Sequence, residues 1–536
     1  MSKPPFRFLF DNDTTNIVRA AKPEFYDPET MTPDAFESGG DFTDAMIEAS
    51  IDETVGTGVD VHKLSPGHSW VVWWKSKSAP AEEHYRWFEQ TYGRPPDAYG
   101  RYMLAGGDMV ATFVRHCRKV GQAPFLSLRL NQVQAIKEQA RQLNWSQWME
   151  EHYPHYCLNE PGTPQQEQHR LNWMLPDVRR HFLTFADELC AYDIDGFELD
   201  FTRHSSLFRQ DQTTRQQRED TVTAFVADIR RILDRHAREG RRRWLCVKVP
   251  CHLVEYPMTG LDLERLVVEA GVDMVNLFPS FFTQQQTDLP RIRAMLPAHV
   301  GVYLEMTDCT DSTPPYGKRW TTDAQFHTAA HLAYARGADG VSLFNFVYYR
   351  QWDACGHQGT GGRIVQPVPF HVLRHLHDAQ WLAQQSQHWF LSRGYGGYDP
   401  RMLGGGKMMM NARENPQSPF PVVLEPGQRV CCPLDMAPPS GGWQQAGRCR
   451  IQARAPLAGT RLVLRLNGTT LASTPDVSEP FENPYRYRDP SPLGSPEDYR
   501  AWIVPAALLA DGENVFEISM DAGKPAELCY LDVAMP

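Results

Sequence analysis

The chain lacks most features that would hold it together covalently or tie it to a membrane or a nucleic acid. Its eleven cysteines are an odd number and lie singly apart from Cys431-Cys432. No Cys-x-x-Cys spacing exists to build a zinc site, and a disulfide framework is not indicated. No apolar run approaches the ~20 residues of a membrane span, and the run within the first ten residues is too short for a signal peptide. A long Lys/Arg tract is also missing. The triplet Arg241-Arg242-Arg243 reads as a solvated turn before a strand, and a net charge of -11 disfavours nonspecific nucleic-acid binding. No internal repeat or low-complexity tract interrupts the chain. These absences predict a soluble cytoplasmic protein, or a periplasmic or secreted one if a leader has been trimmed, with neither membrane nor nucleic acid as partner.

What is present is enough apolar sequence for a large core. The 536 residues are 42% hydrophobic and 22% charged, an ordinary globular balance that suggests a large domain plus a smaller one. Short strand-like runs at 6–10, 70–74, 124–130, 194–201, 244–249, 272–278, 300–306 and 340–346 alternate with longer helical patterns. The clearest of those are 178–191, 221–239, 261–270, 323–336 and 369–384. Eight such strand and helix units predict a (β/α)8 TIM barrel over 1–385. Beyond residue 385 glycine clusters punctuate the chain and helical periodicity disappears. Arg461 to Leu471 reads as a hairpin turning on Asn467-Gly468, and 501–505 and 513–520 add alternating strands. A β-sandwich over 386–536 is the economical reading.

Within the fourth predicted strand, alternation places Phe197, Leu199 and Phe201 on one face and Glu198 and Asp200 on the other. With helices covering the apolar face, both carboxylates look into the barrel, close to the end where active sites of this fold lie. The seventh strand puts Tyr303 and Glu305 on one face. Arg129 and Asn131 share a face of strand three, Lys248 and His252 share a face of strand five, strand eight ends in Asn345, and His204 follows strand four. Asp11 and Asp13 close strand one and could hold a hard cation, yet that strand has no His-x-His pair of the metal-dependent kind. Neither a metal nor another cofactor is expected.

Glycosidic cleavage requires an acid for the leaving oxygen and a second carboxylate that attacks carbon or activates water. Asp200 and Glu305 are the preferred pair, with Glu198 tuning or replacing one of them. Glu198 and Asp200 lie ~6.6 Å apart along one strand, close enough to couple. The remaining candidates, Arg129, Asn131, His204, Lys248, His252, Tyr303 and Asn345, are expected to hold substrate hydroxyls or an anionic substituent. Trp145, Trp320 and Trp352 fall on predicted loops, where aromatic faces suit the C–H faces of sugar rings. Of the Trp70 to Trp74 run, Trp70 or Trp74 could face inward. The segment 132–177 is also rich in aromatics, including Trp145, Trp148, Tyr153, Tyr156 and Trp173.

The motif Asp195-Gly-Phe-Glu-Leu-Asp-Phe201 resembles the fourth-strand signature of several (β/α)8 glycoside hydrolase groups. With Phe125-Leu-Ser-Leu-Arg-Leu-Asn131 and the strand-rich C-terminal region, the chain is most similar to the bacterial family-10-like glycosyl hydrolase-related proteins. Two better-defined groups resemble it less. Chitinase-type barrels would have a glutamate where Thr202 stands, and the clan with acids on strands four and seven would have Asn, not Phe197, before Glu198. The resemblance implies hydrolysis of a poly- or oligosaccharide. The alternative is a noncatalytic carbohydrate-binding protein on a glycosidase-like barrel.

Overall fold

The structure, a computed structural model, describes residues 3–13, 17, 41–68, 71–131, 146–153, 155–158, 170–203, 207–238, 240–279, 282–313, 317–350, 368–392, 418–487 and 489–536. Eight parallel strands close into a barrel: β1 (Phe8–Asp13), β2 (Val61–Ser65), β3 (Ala123–Arg129), β4 (Gly196–Asp200), β5 (Trp244–Pro250), β6 (Met274–Phe278), β7 (Gly301–Met306) and β8 (Gly340–Phe344). Each strand pairs with its sequence neighbours, and β8 returns to β1. The predicted TIM barrel is therefore present.

One strand differs from its expected position. β2 is Val61-His-Lys-Leu-Ser65, not 70–74, and the tryptophan run instead follows it. A buried lysine at the centre of β2 breaks the apolar run that strand recognition looks for, whereas the tryptophans supply a conspicuous one. Trp73 stacks on Tyr99 with centroids 3.9 Å apart, and Trp74 packs edge-on to Phe185 while its Nε1 donates to Glu188. Trp74 thus belongs to the outer shell and not to the barrel interior; Trp70 lies outside the described residues.

The outer layer includes α1 (Met109–Val120), α2 (Gln147–His152), α3 (Pro176–Cys190), α4 (Arg215–Arg235) and α5 (Asp323–Ala335). Helix α4 starts six residues before the apolar periodicity, because Thr214 and Gln217 form a capping box that satisfies its first free N–H groups. The helix expected over 369–384 is broken into Phe370–Leu373 and Ala379–Leu382, the second capped by the Asp378 side chain. Phe197, Leu199 and Phe201 face the helices in the main core cluster with Phe185, Leu189 and Phe225. Burying each such side chain contributes roughly 1.5–3 kcal/mol, so the parity of β4 is strongly enforced.

The C-terminal region is a two-sheet antiparallel sandwich. One sheet contains β9 (Gln387–Ser392), β10 (Val422–Leu424), β12 (Gly447–Ala453), β14 (Tyr499–Val504) and β16 (Ala526–Met535); the other contains β11 (Arg429–Met436), β13 (Arg461–Leu466) and β15 (Gly512–Ala522). The expected hairpin is present, with Asn467 at φ 50° and Gly468 at φ 85° in the turn after β13. Positive φ at both positions is what a type I′ turn demands.

The sandwich docks on the barrel through buried polar groups. After β7, a hairpin of Cys309–Thr313 and Gly317–Trp320 extends Arg319 toward the sandwich. The Arg319 guanidinium donates to Gln452 Oε1, to the Pro492 carbonyl at 2.9 Å and to Tyr499 Oη, and lies 3.7 Å over the Tyr530 ring. Gln285 exchanges hydrogen bonds with the His388 carbonyl and the Phe390 N–H. In return, Tyr485 of the sandwich packs beside Trp320 and Tyr349 of the barrel. Arg319→Ala would strand the buried Gln452 Oε1, take one donor from the Pro492 carbonyl and empty the space over Tyr530, so a loss of about 2–4 kcal/mol is expected. Urea melts followed by tryptophan fluorescence would measure it; a change below about 0.5 kcal/mol would contradict this docking role.

Candidate functional site

Inside the barrel, alternation stacks the side chains in layers. The floor, at the amino ends of the strands, is Leu9, Val61, Phe125, Cys246, Met274 and Tyr303. Tyr303 is in that floor, donating its hydroxyl to the Phe6 carbonyl at 3.0 Å. It points inward as alternation requires, but it is not brought together with the acids near the mouth.

Above the floor the interior becomes charged. Lys63 Nζ lies 3.2 and 3.0 Å from the two carboxylate oxygens of Glu198, 3.5 Å from Glu305 Oε2 and 3.4 Å from Asp11 Oδ2. Lys248 Nζ lies 2.6 Å from Glu305 Oε1 and 3.1 Å from Asp11 Oδ2, with the Phe344 and Phe278 rings 4.1 and 4.5 Å away. Ser127 and Cys246 also donate to Glu198, while Asn276 and Ser342 donate to Glu305 at 2.7 and 2.9 Å. Strand register explains the convergence: Asp11 pairs with Lys63, Ser127 with Glu198, and Ser342 with Glu305.

Burial would by itself push Lys63 down, but Glu198, Asp11 and Glu305 outweigh it and hold its ammonium well above the usual lysine range. Lys248 is likewise raised, with Glu305 and Asp11 overcoming burial. Burial would raise Asp11, and the two lysines reverse this and keep its carboxyl below the usual range. For Glu198 burial wins despite Lys63, so its carboxyl is raised. A buried charge requires such partners, because an isolated ion would cost several kcal/mol.

Asp200 is the outermost of the three predicted catalytic acids. It is 3% exposed, whereas Glu198 and Glu305 are both at 0%, which makes it the one nearest solvent. Its Oδ1 accepts from the Thr202 N–H at 2.8 Å and the Thr202 hydroxyl at 2.6 Å; its Oδ2 lies 3.9 Å from Arg129 Nε. Arg129 is adjacent to Asp200 in register, and Lys248 is adjacent on the other side. Thr202, which stands where a chitinase-type barrel has its acid, here orients the Asp200 carboxylate.

The other sequence candidates are distributed around this centre. Asn131 is buried and accepts from the Leu171 N–H through Oδ1 at 3.2 Å. His252 bonds to Gln284 through Nε2, its Nδ1 has no hydrogen-bond partner among the described residues, and burial lowers its pKa. Asn345 is half-buried at φ 56° and begins the turn after β8. Trp320 is buried against Tyr349 at 5.1 Å, with Lys318 Nζ 5.6 Å from its ring. Lys318 in turn pairs with the buried Asp308 at 2.6 Å. Asp13 is the last residue of β1. His204, Trp145 and Trp352 lie outside the described residues. Among those described, no group of three or more His, Cys, Asp or Glu side chains is arranged to hold a metal, and no helix is long and apolar enough to cross a membrane.

Lys63, Ser127, Cys246, Asn276 and Ser342 are members of this centre that sequence reasoning missed. Lys63 was hidden by the misplaced second strand, although Val61-His-Lys-Leu-Ser alternates correctly once it is taken as a strand. Asn276 and Ser342 could have been found by applying to β6 and β8 the parity argument used for β4.

No protein-family model matches the chain, and no curated protein matches it. Among solved structures, it is similar to alpha-L-fucosidase isoenzyme 1 from Paenibacillus thiaminolyticus, at 12% identity and a TM-score of 0.39 over 96% of this chain and 97% of that one. It is also similar to a maltogenic alpha-amylase from Thermotoga neapolitana, at 10% identity and a TM-score of 0.36 over 99% and 98%. A third is the PgaB (BpsB) glycoside hydrolase domain from Bordetella bronchiseptica, at 13% identity and a TM-score of 0.40 over 66% and 97%. At this distance any functional reading stands on the chain's own side chains.

Proposed function

We propose that the protein is a glycoside hydrolase, related to the bacterial family-10-like group, that cleaves a glycosidic bond of a poly- or oligosaccharide at the barrel mouth. The observation that carries this reading is Asp200: a carboxylate at the outer edge of a charged barrel interior, with one oxygen fastened by Thr202 and the other on the side of Arg129. A carboxyl group held in this manner is suited to meet the reacting oxygen or the anomeric carbon. Glu305, reached from strand seven, is the second essential acid. Glu198 tunes the pair from below through Lys63, which it shares with Glu305.

The surrounding charges serve a transition state with oxocarbenium character. Lys63 and Lys248 keep the interior acids from repelling one another, and the rigid network requires little reorganisation as charge develops on the sugar. Arg129, beside Asp200, is the group best placed to orient a substrate hydroxyl or a uronate carboxylate. One feature favours the second reading, a saccharide-binding protein without turnover: Glu305 is closed over by four donors.

The test is product analysis with the full chain on a panel of neutral and uronate-containing polysaccharides and their hexasaccharides. Release of new reducing ends from at least one probe is the expected result, and NMR of the fresh anomer would distinguish retention from inversion. Measurable binding by calorimetry with no cleavage of any probe would replace this proposal by the binding-protein reading.

A further inference from the structure

We infer that the flank of the barrel carries a second saccharide-binding site, on α2 and α3, which takes a pyranose unit of a glycan chain. The inference takes its ligand class from the proposed hydrolysis, but its geometry is independent of the mouth. Helix α2 sets Trp148 and His152 one turn apart, and the chain beyond it adds Tyr156. Trp148 and His152 have ring centroids 5.0 Å apart at 31°, and His152 and Tyr156 4.5 Å apart at 27°. From α3, His181 lies flat on Trp148 at 3.8 Å and 4°. Trp148 and Tyr156 are themselves 5.8 Å apart, so the four rings form a cluster on the outside of the barrel, not a plug within it.

The cluster borders two hollows. An open one of about 360 Å³ is lined by Trp148, His152, Tyr156, Asp177, Arg180 and Thr184, within the range of roughly 300–1,000 Å³ usual for small-molecule sites. A deeper one of about 210 Å³ lies on the other side of the Trp148 and His181 pair, reaching His84, Glu151 and Phe185. Trp148 and His181 are common to both.

Polar groups at the rim match the aromatic floor. Tyr156 donates its hydroxyl to Asp177 Oδ2 at 3.1 Å, and Arg180 Nη1 lies 2.7 Å from Asp177 Oδ1. The Arg180 and Asp177 side chains are 73% and 52% exposed, so their pairing contributes little to stability, and both remain open to an incoming ligand. A pyranose presents an apolar C–H face and a rim of hydroxyls. The rings take the first, while a carboxylate acceptor and a guanidinium donor take adjacent hydroxyls. Burial pushes His181 down to about 3, so its ring stays neutral against Trp148 and adds no cation to the floor.

The test uses the full chain with Tyr156→Ala, Asp177→Ala and Arg180→Ala, all at solvent-facing positions, together with Asp200→Asn. Migration is measured in native gels containing soluble xylan, galactomannan, mixed-linkage β-glucan or pectin, and binding of the matching hexasaccharide by saturation-transfer NMR. The inference expects at least one polysaccharide to retard the wild-type chain and Asp200→Asn alike. Tyr156→Ala and Asp177→Ala should weaken that binding about tenfold or more, with cleavage of a hexasaccharide kept within about twofold. Retardation by none of the four, unchanged binding in all three flank variants, or loss of all binding in Asp200→Asn overturns it. If nothing is cleaved but the flank variants still lose retardation, the proposed hydrolysis fails and the flank site stands.

Discussion

Asp200→Asn is expected to lower kcat/KM on the cleaved glycan by about 10²–10⁴-fold with little change in stability. The substitution is isosteric. Asparagine retains an Oδ1 that can accept from the Thr202 N–H and hydroxyl, now at 2.8 and 2.6 Å, so the local turn survives. What disappears is the capacity to exchange a proton or to carry negative charge at the oxygen beside Arg129. Steady-state kinetics with a melting curve on the same sample would check this. A fall of less than about tenfold in a normally folded variant would remove Asp200 from the chemistry.

Lys63→Met is expected to cost about 3–5 kcal/mol, the usual consequence of removing one partner from a buried ion cluster. Lys63 is completely buried between Glu198, Glu305 and Asp11, and methionine fills its volume without its charge. The deficit has a pH signature. Burial already raises the Glu198 carboxyl, and Lys63 is the largest influence that lowers it; without the lysine it rises further. A folded-state acid raised above its unfolded value favours folding below that unfolded value and loses the advantage as pH rises. The variant should therefore lie closest to wild type near pH 4 and fall furthest behind at neutrality. Urea melts across that range would show it, and Lys63→Met with Glu198→Gln should lose less than the two single variants add up to. A pH-independent deficit would mean that lost packing, not lost charge, is responsible.

Reading the chain by parity recovered most of the barrel because each strand is bounded by turns and must bury one face against helices. Phe197, Leu199 and Phe201 could only face outward, which sent Glu198 and Asp200 inward. The same reasoning failed at β2, where Lys63 interrupts the apolar signal and its carboxylate partners come from strands more than fifty positions away or farther in sequence. Parity also says nothing about height within the barrel. It grouped Tyr303 with Glu305, yet one closes the floor and the other lies a layer above. It could not distinguish Glu198, sealed beneath Lys63, from Asp200, which reaches the outer edge. The Asn467-Gly468 hairpin was legible because its turn chemistry is local, whereas the Arg319 docking on Tyr530 depends on two segments about two hundred residues apart. Thr202 was read only as a missing acid, and its role in fastening Asp200 emerges from backbone geometry that a residue type does not reveal.

The most direct measurement is a crystal structure of Asp200→Asn with the glycan that the wild-type chain cleaves or binds most tightly. The account predicts a sugar ring in the barrel mouth with its glycosidic oxygen or anomeric carbon within about 2.6–3.5 Å of the residue-200 side chain and a ring hydroxyl or carboxylate on Arg129. A glycan bound only on the flank beside Tyr156 and Asp177, with the mouth empty, would contradict it.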